Sequence, residues 1–319
     1  MNYTRLLSRS YRLIRTHPTL WALGFIMALF GAGANTFSSL SDSGPRVVQA
    51  VPGLSSAFET LELGVVLVFV CLAIILVLVG LTVQYVSRVG LVDGTARAHR
   101  EEPVRLGEAL RRGLSADALR LLLADIILFT PLFMLMIVLG VLLVVGLFGG
   151  IAALEEGRTF PGVLFFLFFI GALFVFLGLG MLVGGLATIL VQWTARFVVI
   201  GGQGLLDGLR FAWRTFRAHW QESVILWVIH VGVQFLVQFL LSALFIALFF
   251  PVLIGLIGGA LMELPPALLI VGGLLFGLLI WFIQAAVQGG VTAFLETLWT
   301  LGWFELQGTT ASGGASGNE

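Results

Sequence analysis

Three times along this chain a short arginine-rich segment runs straight into long apolar runs: Asn2–Thr16, Val104–Asp117 and Leu205–Trp220. That pattern leaves few folds open. A helix with cations along one side lies in the plane of a membrane surface. An apolar run of about 20 residues is long enough to cross the membrane. Composition agrees, because only 11% of residues are charged and 59% are hydrophobic, whereas a soluble domain carries about 25% charged residues. The expected class is an all-α polytopic membrane protein.

Six runs qualify as spans: Thr19–Phe37, Leu61–Ser87, Leu119–Gly150, Pro161–Val199, Ser223–Leu261 and Pro265–Trp303. The last four exceed what a span needs, so they should tilt, kink or project beyond the bilayer. Pro131 and Pro251 fall inside two of them, and each removes a helical hydrogen bond. A re-entrant break in one long run is the alternative. The first run also resembles a signal peptide, with a basic lead and Gly31-Ala32-Gly33-Ala34 behind it. Cleavage there would leave an odd number of spans, and the basic lead matches a segment deep in the chain, so the run reads as a retained span.

Arginine placement sets the orientation. Arg5, Arg9, Arg12 and Arg15 precede the first span. Arg88, Arg97, Arg100, Arg105, Arg111, Arg112 and Arg120 lie between the second and third, and Arg196, Arg210, Arg214 and Arg217 between the fourth and fifth. The alternate loops hold only Arg46 and Arg158, beside Asp42, Glu59, Glu62, Glu155, Glu156 and Glu263. The positive-inside rule then places both termini in the cytoplasm. The chain has no lysine, which reads as a matter of genome composition. Its single cysteine, Cys71, lies in an apolar run and excludes a disulfide framework.

Short matches recur at a period of about 100 residues, the mark of repeated architecture. Thr95-Ala96-Arg97 returns as Thr194-Ala195-Arg196, followed at equal distance by Glu108-Ala109-Leu110-Arg111 and Asp207-Gly208-Leu209-Arg210. Tyr11-Arg12-Leu13-Ile14-Arg15-Thr16-His17 matches Trp213-Arg214-Thr215-Phe216-Arg217-Ala218-His219. The expected plan is three repeats, each an amphipathic helix plus two spans, over residues 1–100, 101–202 and 203–307, with a disordered tail over 308–319. Same-sense repeats of this kind imply a pseudo-threefold axis along the membrane normal, unlike inverted repeats.

At 100° per residue the basic segments separate into two faces. Tyr3, Leu6, Leu7, Tyr11, Leu13 and Ile14 oppose Arg5, Arg9, Arg12 and Arg15. Leu106, Leu110 and Leu114 oppose Arg105, Glu108, Arg111 and Arg112. Leu205, Leu209, Trp213, Phe216 and Trp220 oppose Asp207, Arg210, Arg214 and Arg217. The arginines form an expected face for anionic head groups or a protein partner. The plainer reading is a structural elbow that sets the angle of the next span.

Polar groups within spans are expensive and mark candidate sites. His230, Gln234 and Gln238 share one face of the fifth span, and Gln284 and Gln288 one face of the sixth. Asp125 and Glu296 are the candidate intramembrane acids. These residues read either as a polar pathway or as hydrogen bonds between helices. The glycine pairs Gly146/Gly150, Gly180/Gly184, Gly255/Gly259 and Gly273/Gly277 predict close helix packing or self-association into a homo-oligomer. The cluster Gly201-Gly202-Gln203-Gly204 reads as a hinge.

Signatures of catalysis are missing: there is no H-E-x-x-H, P-loop, G-x-S-x-G or Cys/His metal spacing. The reading is therefore non-enzymatic, without cofactor or metal. The alternation of arginine with aromatic residues points to lipid and away from nucleic acid.

The lead helix ending Arg15-Thr16-His17-Pro18-Thr19-Leu20-Trp21, the six spans, and the restart Leu205-Leu206-Asp207-Gly208-Leu209-Arg210-Phe211-Ala212-Trp213 resemble the membrane domain attached to some glycerophosphoryl diester phosphodiesterases, and related bacterial multi-pass proteins. The resemblance runs to about Gln307. It implies a bacterial cytoplasmic-membrane protein. The hydrolase barrel and its metal-binding motifs are missing here, so hydrolase activity is not implied. The expected function is a scaffold or accessory subunit engaging anionic lipid, or a membrane partner, through its amphipathic helices. A transporter or channel using the polar stripe is the alternative.

Overall fold

The computed structural model describes residues 1–30, 63–155, 159–261 and 266–313. The described residues are helical, with no strand among them. In chain order the helices are α1 (Tyr3–Thr16), α2 (Pro18–Phe30), α3 (Leu63–His99), α4 (Leu106–Gly113), α5 (Ala116–Glu155), α6 (Thr159–Val199), α7 (Leu205–Ala218), α8 (Trp220–Leu261) and α9 (Pro266–Gly313). Five of them (α3, α5, α6, α8 and α9) are long and apolar enough to cross a membrane. Counting α1 with α2 as one bent span makes six, the two meeting at 93°.

Each of the five is a single helix of 37 to 48 residues. At 1.5 Å per residue that is roughly 55 to 70 Å, about twice the 30 Å hydrocarbon core. The α5 and α8 helices continue through Pro131 and Pro251. The re-entrant alternative for a long run therefore finds no break among the described residues. Of the first predicted span only α2 is described. The outer loop expected before the second span lies outside the described residues. The α9 helix reaches Gly313, six residues into the stretch expected to be a disordered tail.

The chain forms two compact units: Met1–Ala118 with Val228–Glu319, and Leu119–Trp227. In the first, the core joins Leu20 and Leu23 of α2, Leu91 and Ala98 of α3, Ala109 of α4 and Ala293 of α9. A β-carbon on Gly24 would strike the Gly289 carbonyl, and one on Gly289 would strike the Phe25 backbone. Helices α2 and α9 thus touch backbone to backbone. Burial concentrates toward the C-terminal ends of α3, α6 and α9 and the N-terminal ends of α5 and α8. Residues 86–92 of α3 and 295–302 of α9 are continuously buried, as are 189–199 of α6 in the second unit. The opposite stretches, such as 70–79 of α3 and 163–168 of α6, are mostly exposed apolar side chains, as lipid-facing helix surface must be.

The predicted glycine pairs contribute little to this packing. Gly180 and Gly184 meet Met136 and Leu132 of α5. Gly146, Gly255, Gly273 and Gly277 have nothing within 4 Å of an added β-carbon. Helix periodicity alone could not say which glycines face a neighbour.

Candidate functional site

Each basic segment folds as a short helix followed by a sharp turn into the next apolar helix. His17 closes α1 by donating its N–H to Leu13 O at 3.0 Å, and its own carbonyl accepts from Leu20 at 3.0 Å. His219 repeats this between α7 and α8, donating to Thr215 O at 2.9 Å and accepting from Ser223 at 3.0 Å. Between α4 and α5 the turn residue is Ser115. Its hydroxyl accepts the Asp117 N–H at 3.3 Å, a side-chain cap that supplies a partner to an orphan donor of α5.

Helices α4 and α7 also dock in the same way. Their buried faces are made of small residues four apart: Ala109 and Gly113 on α4, Gly208 and Ala212 on α7. On α1 the positions are Leu6 and Ser10. The α4 helix lies on the end of α3, with Gly113 against the Val86 carbonyl and Gly90 2.8 Å (from a built β-carbon) from the Ala109 carbonyl. The α7 helix lies on the end of α6, where a β-carbon on Gly208 would come 2.9 Å from Val198. The α1 helix packs on α9 and α3. Thus α4 and α7 each pack on the long helix preceding them, whereas α1 packs mainly on α9.

Small-residue docking decides what the large side chains do. On α7, Trp213 is 42% exposed, with Leu206 and Phe211 also exposed, and Trp220 at the start of α8 is 55% exposed. The sequence reading placed Trp213 and Trp220 in one apolar stripe; neither is buried by protein. Arg214 sits over the Phe211 ring at 5.8 Å and Arg217 over the Trp213 ring at 6.0 Å. Arg210 lies 3.5 Å from Asp207. On α1, Arg5, Arg9, Arg12 and Arg15 are all exposed, as is Tyr11. On α4, Arg105 and Arg111 are exposed, Arg105 lying 3.7 Å from Glu108. Arg112 departs from the expected outward face: it turns to Asp117 at 3.2 Å and braces the elbow.

The twin Thr-Ala-Arg motifs end their helices alike. Thr95 donates to the Leu91 carbonyl at 2.8 Å and Thr194 to the Leu190 carbonyl at 2.7 Å, both buried. Arg97 reaches back four residues to Asp93 at 2.9 Å. Arg196, fully buried, reaches back four to Gln192, at 2.9 Å on the main-chain oxygen and also on the side-chain oxygen. On α9, Thr300 donates to the Glu296 carbonyl at 2.8 Å, a third buried threonine bonded in the same way. The sequence reading missed it, although Trp299-Thr300 echoes Trp193-Thr194.

The polar stripe is used mainly for contacts between helices. Gln288 donates to Gln238 at 3.0 Å, and the Trp299 indole donates to His230 Nδ1 at 3.2 Å. His230, Gln234, Gln284 and Gln288 are half-buried and Gln238 is exposed. Gln238, Ser242 and Gln284 line a groove of about 370 Å³ walled by apolar side chains such as Phe245 and Ile283. Glu296 is not a lone acid. Arg88, assigned by sequence to the loop, lies inside α3 and pairs with it at 3.4 Å. Asp125 is half-buried on α5. Among the described residues, no three His, Cys, Asp or Glu side chains gather closely enough to hold a metal ion.

A family model describing a family of unknown function, DUF7544, matches residues 10–303, from the lead helix to the end of the last apolar run. The chain belongs to the DUF7544 family. The match takes in α4 and α7 whole and the second half of α1, from Ser10 to Thr16, while Arg5 and Arg9 precede it. No link between DUF7544 and glycerophosphoryl diester phosphodiesterases comes with the match. Neither the curated proteins nor the solved structures include a match to this chain.

Proposed function

We propose that this DUF7544 member is a non-enzymatic scaffold or accessory subunit of the bacterial cytoplasmic membrane, holding anionic lipid or a membrane partner on its basic elbows. The observation behind this reading is the outward face of α7. Gly208 and Ala212 take up the docking contact, which leaves Phe211 and Trp213 exposed among Arg210, Arg214 and Arg217, with Trp220 exposed at the start of α8. Aromatic rings partition to the membrane–water interface and guanidinium groups to anionic head groups. A helix serving only as an elbow needs neither.

The arginine distribution favours cytoplasmic termini. The common docking of α4 and α7 on the preceding long helix, and of α1 on α9, supports a plan of three repeats with six spans.

The test is lipid mass spectrometry on protein extracted in mild detergent from membranes of mixed charge. Wild type should enrich anionic lipid over the bulk. The triple variant R210Q/R214Q/R217Q should lose much of that enrichment, and unchanged enrichment would count against the reading.

The groove beside Gln238 and Gln284 favours a second reading, passage of a small solute or lipid. Against it, the Gln288–Gln238 and Trp299–His230 bonds occupy polar groups that a pathway would need. In a C71S background, labelling of Q284C by a membrane-impermeant thiol reagent would promote the second reading, and protection would retire it.

A further inference from the structure

Where α1, α3 and α9 meet lies a pocket of about 140 Å³. Arg5 and Arg9 line it from α1, His99 from α3, and Phe304 and Glu305 from α9, with Leu6 at its wall. Among the described residues no ion pair engages Arg5 or Arg9. The His99 ring stacks on Phe304 with 4.6 Å between centroids. Its Nδ1 is shielded and meets no hydrogen-bond partner among those residues. A shielded ring nitrogen without a partner is costly, and a small rotation of the ring toward the pocket would let a ligand atom relieve that cost.

We propose that this pocket binds the phosphate of a membrane phospholipid head group. The inference rests on the reading of α1 as a lipid-engaging surface helix and adds a discrete site to it. Two guanidinium groups and one carboxylate leave a net charge of +1, which matches a phosphate bearing one negative charge. The planar forks of Arg5 and Arg9 suit two phosphate oxygens, and the His99 nitrogen suits a third polar contact. Leu6 and Phe304 give the pocket an apolar wall for the glycerol end of the lipid. The α7 elbow is arranged differently: there Arg214 and Arg217 lie over aromatic rings.

The experiment counts lipids retained per protomer by native mass spectrometry, after extraction from bilayers of phosphatidylethanolamine and phosphatidylglycerol. Wild type should keep one phospholipid, with either head group, and excess inorganic phosphate should displace it. R5Q/R9Q should weaken retention about a hundredfold, a charge-assisted bond being worth roughly tenfold. H99F keeps the stack on Phe304 and loses the nitrogen; it should weaken retention about tenfold. Circular dichroism on each variant checks that the helices persist. Protein that takes up inorganic phosphate but retains no lipid would keep the phosphate site and move its source to solution. Retention unchanged in R5Q/R9Q and H99F, or equal retention of a glycolipid without phosphate, would overturn the proposal. R210Q/R214Q/R217Q should leave the single lipid in place. Loss of anionic enrichment in that variant alone would sink the pocket and leave the broader lipid reading standing. No change in any variant would remove both.

Discussion

Arg88 and Glu296 meet at 3.4 Å across α3 and α9, their side chains 8% and 5% exposed. Around them Ser87, Thr95, Thr297 and Thr300 are buried too, with the Thr95 and Thr297 hydroxyls 3.4 Å apart. A buried pair of this kind adds little net stability, but losing one partner strands the other charge and costs about 3–5 kcal/mol. Glu296→Ala should therefore lower the thermal unfolding midpoint in detergent sharply. R88L/E296L should recover most of the loss, because both charges leave together. If Glu296→Ala unfolds like wild type, the pair is not what holds α3 against α9.

Backbone contact between α4 and α3 gives a sharper prediction. A β-carbon on Gly113 would overlap the Val86 carbonyl, whereas one on Gly107 of the same helix meets nothing within 4 Å. Gly107→Ala should be neutral or stabilising by roughly 0.4–1 kcal/mol, through the unfolded chain. Gly113→Ala should push α4 off its seat and destabilise by about 1–3 kcal/mol, as overpacking does. Limited proteolysis near Arg105 would report the displaced helix. Equal behaviour of the two variants would mean that α4 is not seated on α3.

The basic helices and long apolar helices were legible because their two periodicities are strong and their charges segregate. What periodicity could not convey is which apolar face meets protein and which meets lipid. Trp213 belongs to the apolar stripe of its helix, yet the helix docks through Gly208 and Ala212. In lipid an exposed tryptophan carries no penalty, so size is a poor guide to burial. The glycine pairs misled for a related reason. In a chain with 40 glycines, spacing alone is uninformative. A backbone-to-backbone helix contact joins Gly24 to Gly289, which no local pattern links. Arg88 looked like the start of a loop because its partner, Glu296, is 208 positions away.

The stripe on α8 and α9 should behave as mutual support between helices. An interhelical hydrogen bond in a membrane is worth about 0.6 kcal/mol, and at most about 2. Gln288→Leu removes the donor to Gln238 and should cost no more than that. Q238L/Q288L should cost little more than the single change, since the bond is already gone. A double-mutant cycle on unfolding midpoints measures the coupling directly. Strict additivity of the two changes would show that the glutamines do not act on each other.

The elbow between α4 and α5 depends on one hydroxyl. Ser115 accepts the Asp117 N–H and donates to the Asp117 carboxylate at 3.2 Å, while Arg112 holds the same carboxylate oxygen at 3.2 Å. Replacing an N-cap serine by alanine costs about 1 kcal/mol. Ser115→Ala should cost that much and loosen the entry into α5, while Ser115→Thr, which keeps the oxygen, should stay near wild type. Amide hydrogen exchange at Asp117 and Ala118 reads the cap locally. Faster exchange in Ser115→Ala and not in Ser115→Thr is the expected result, and equal exchange in both would assign the turn to Arg112 and Asp117 alone.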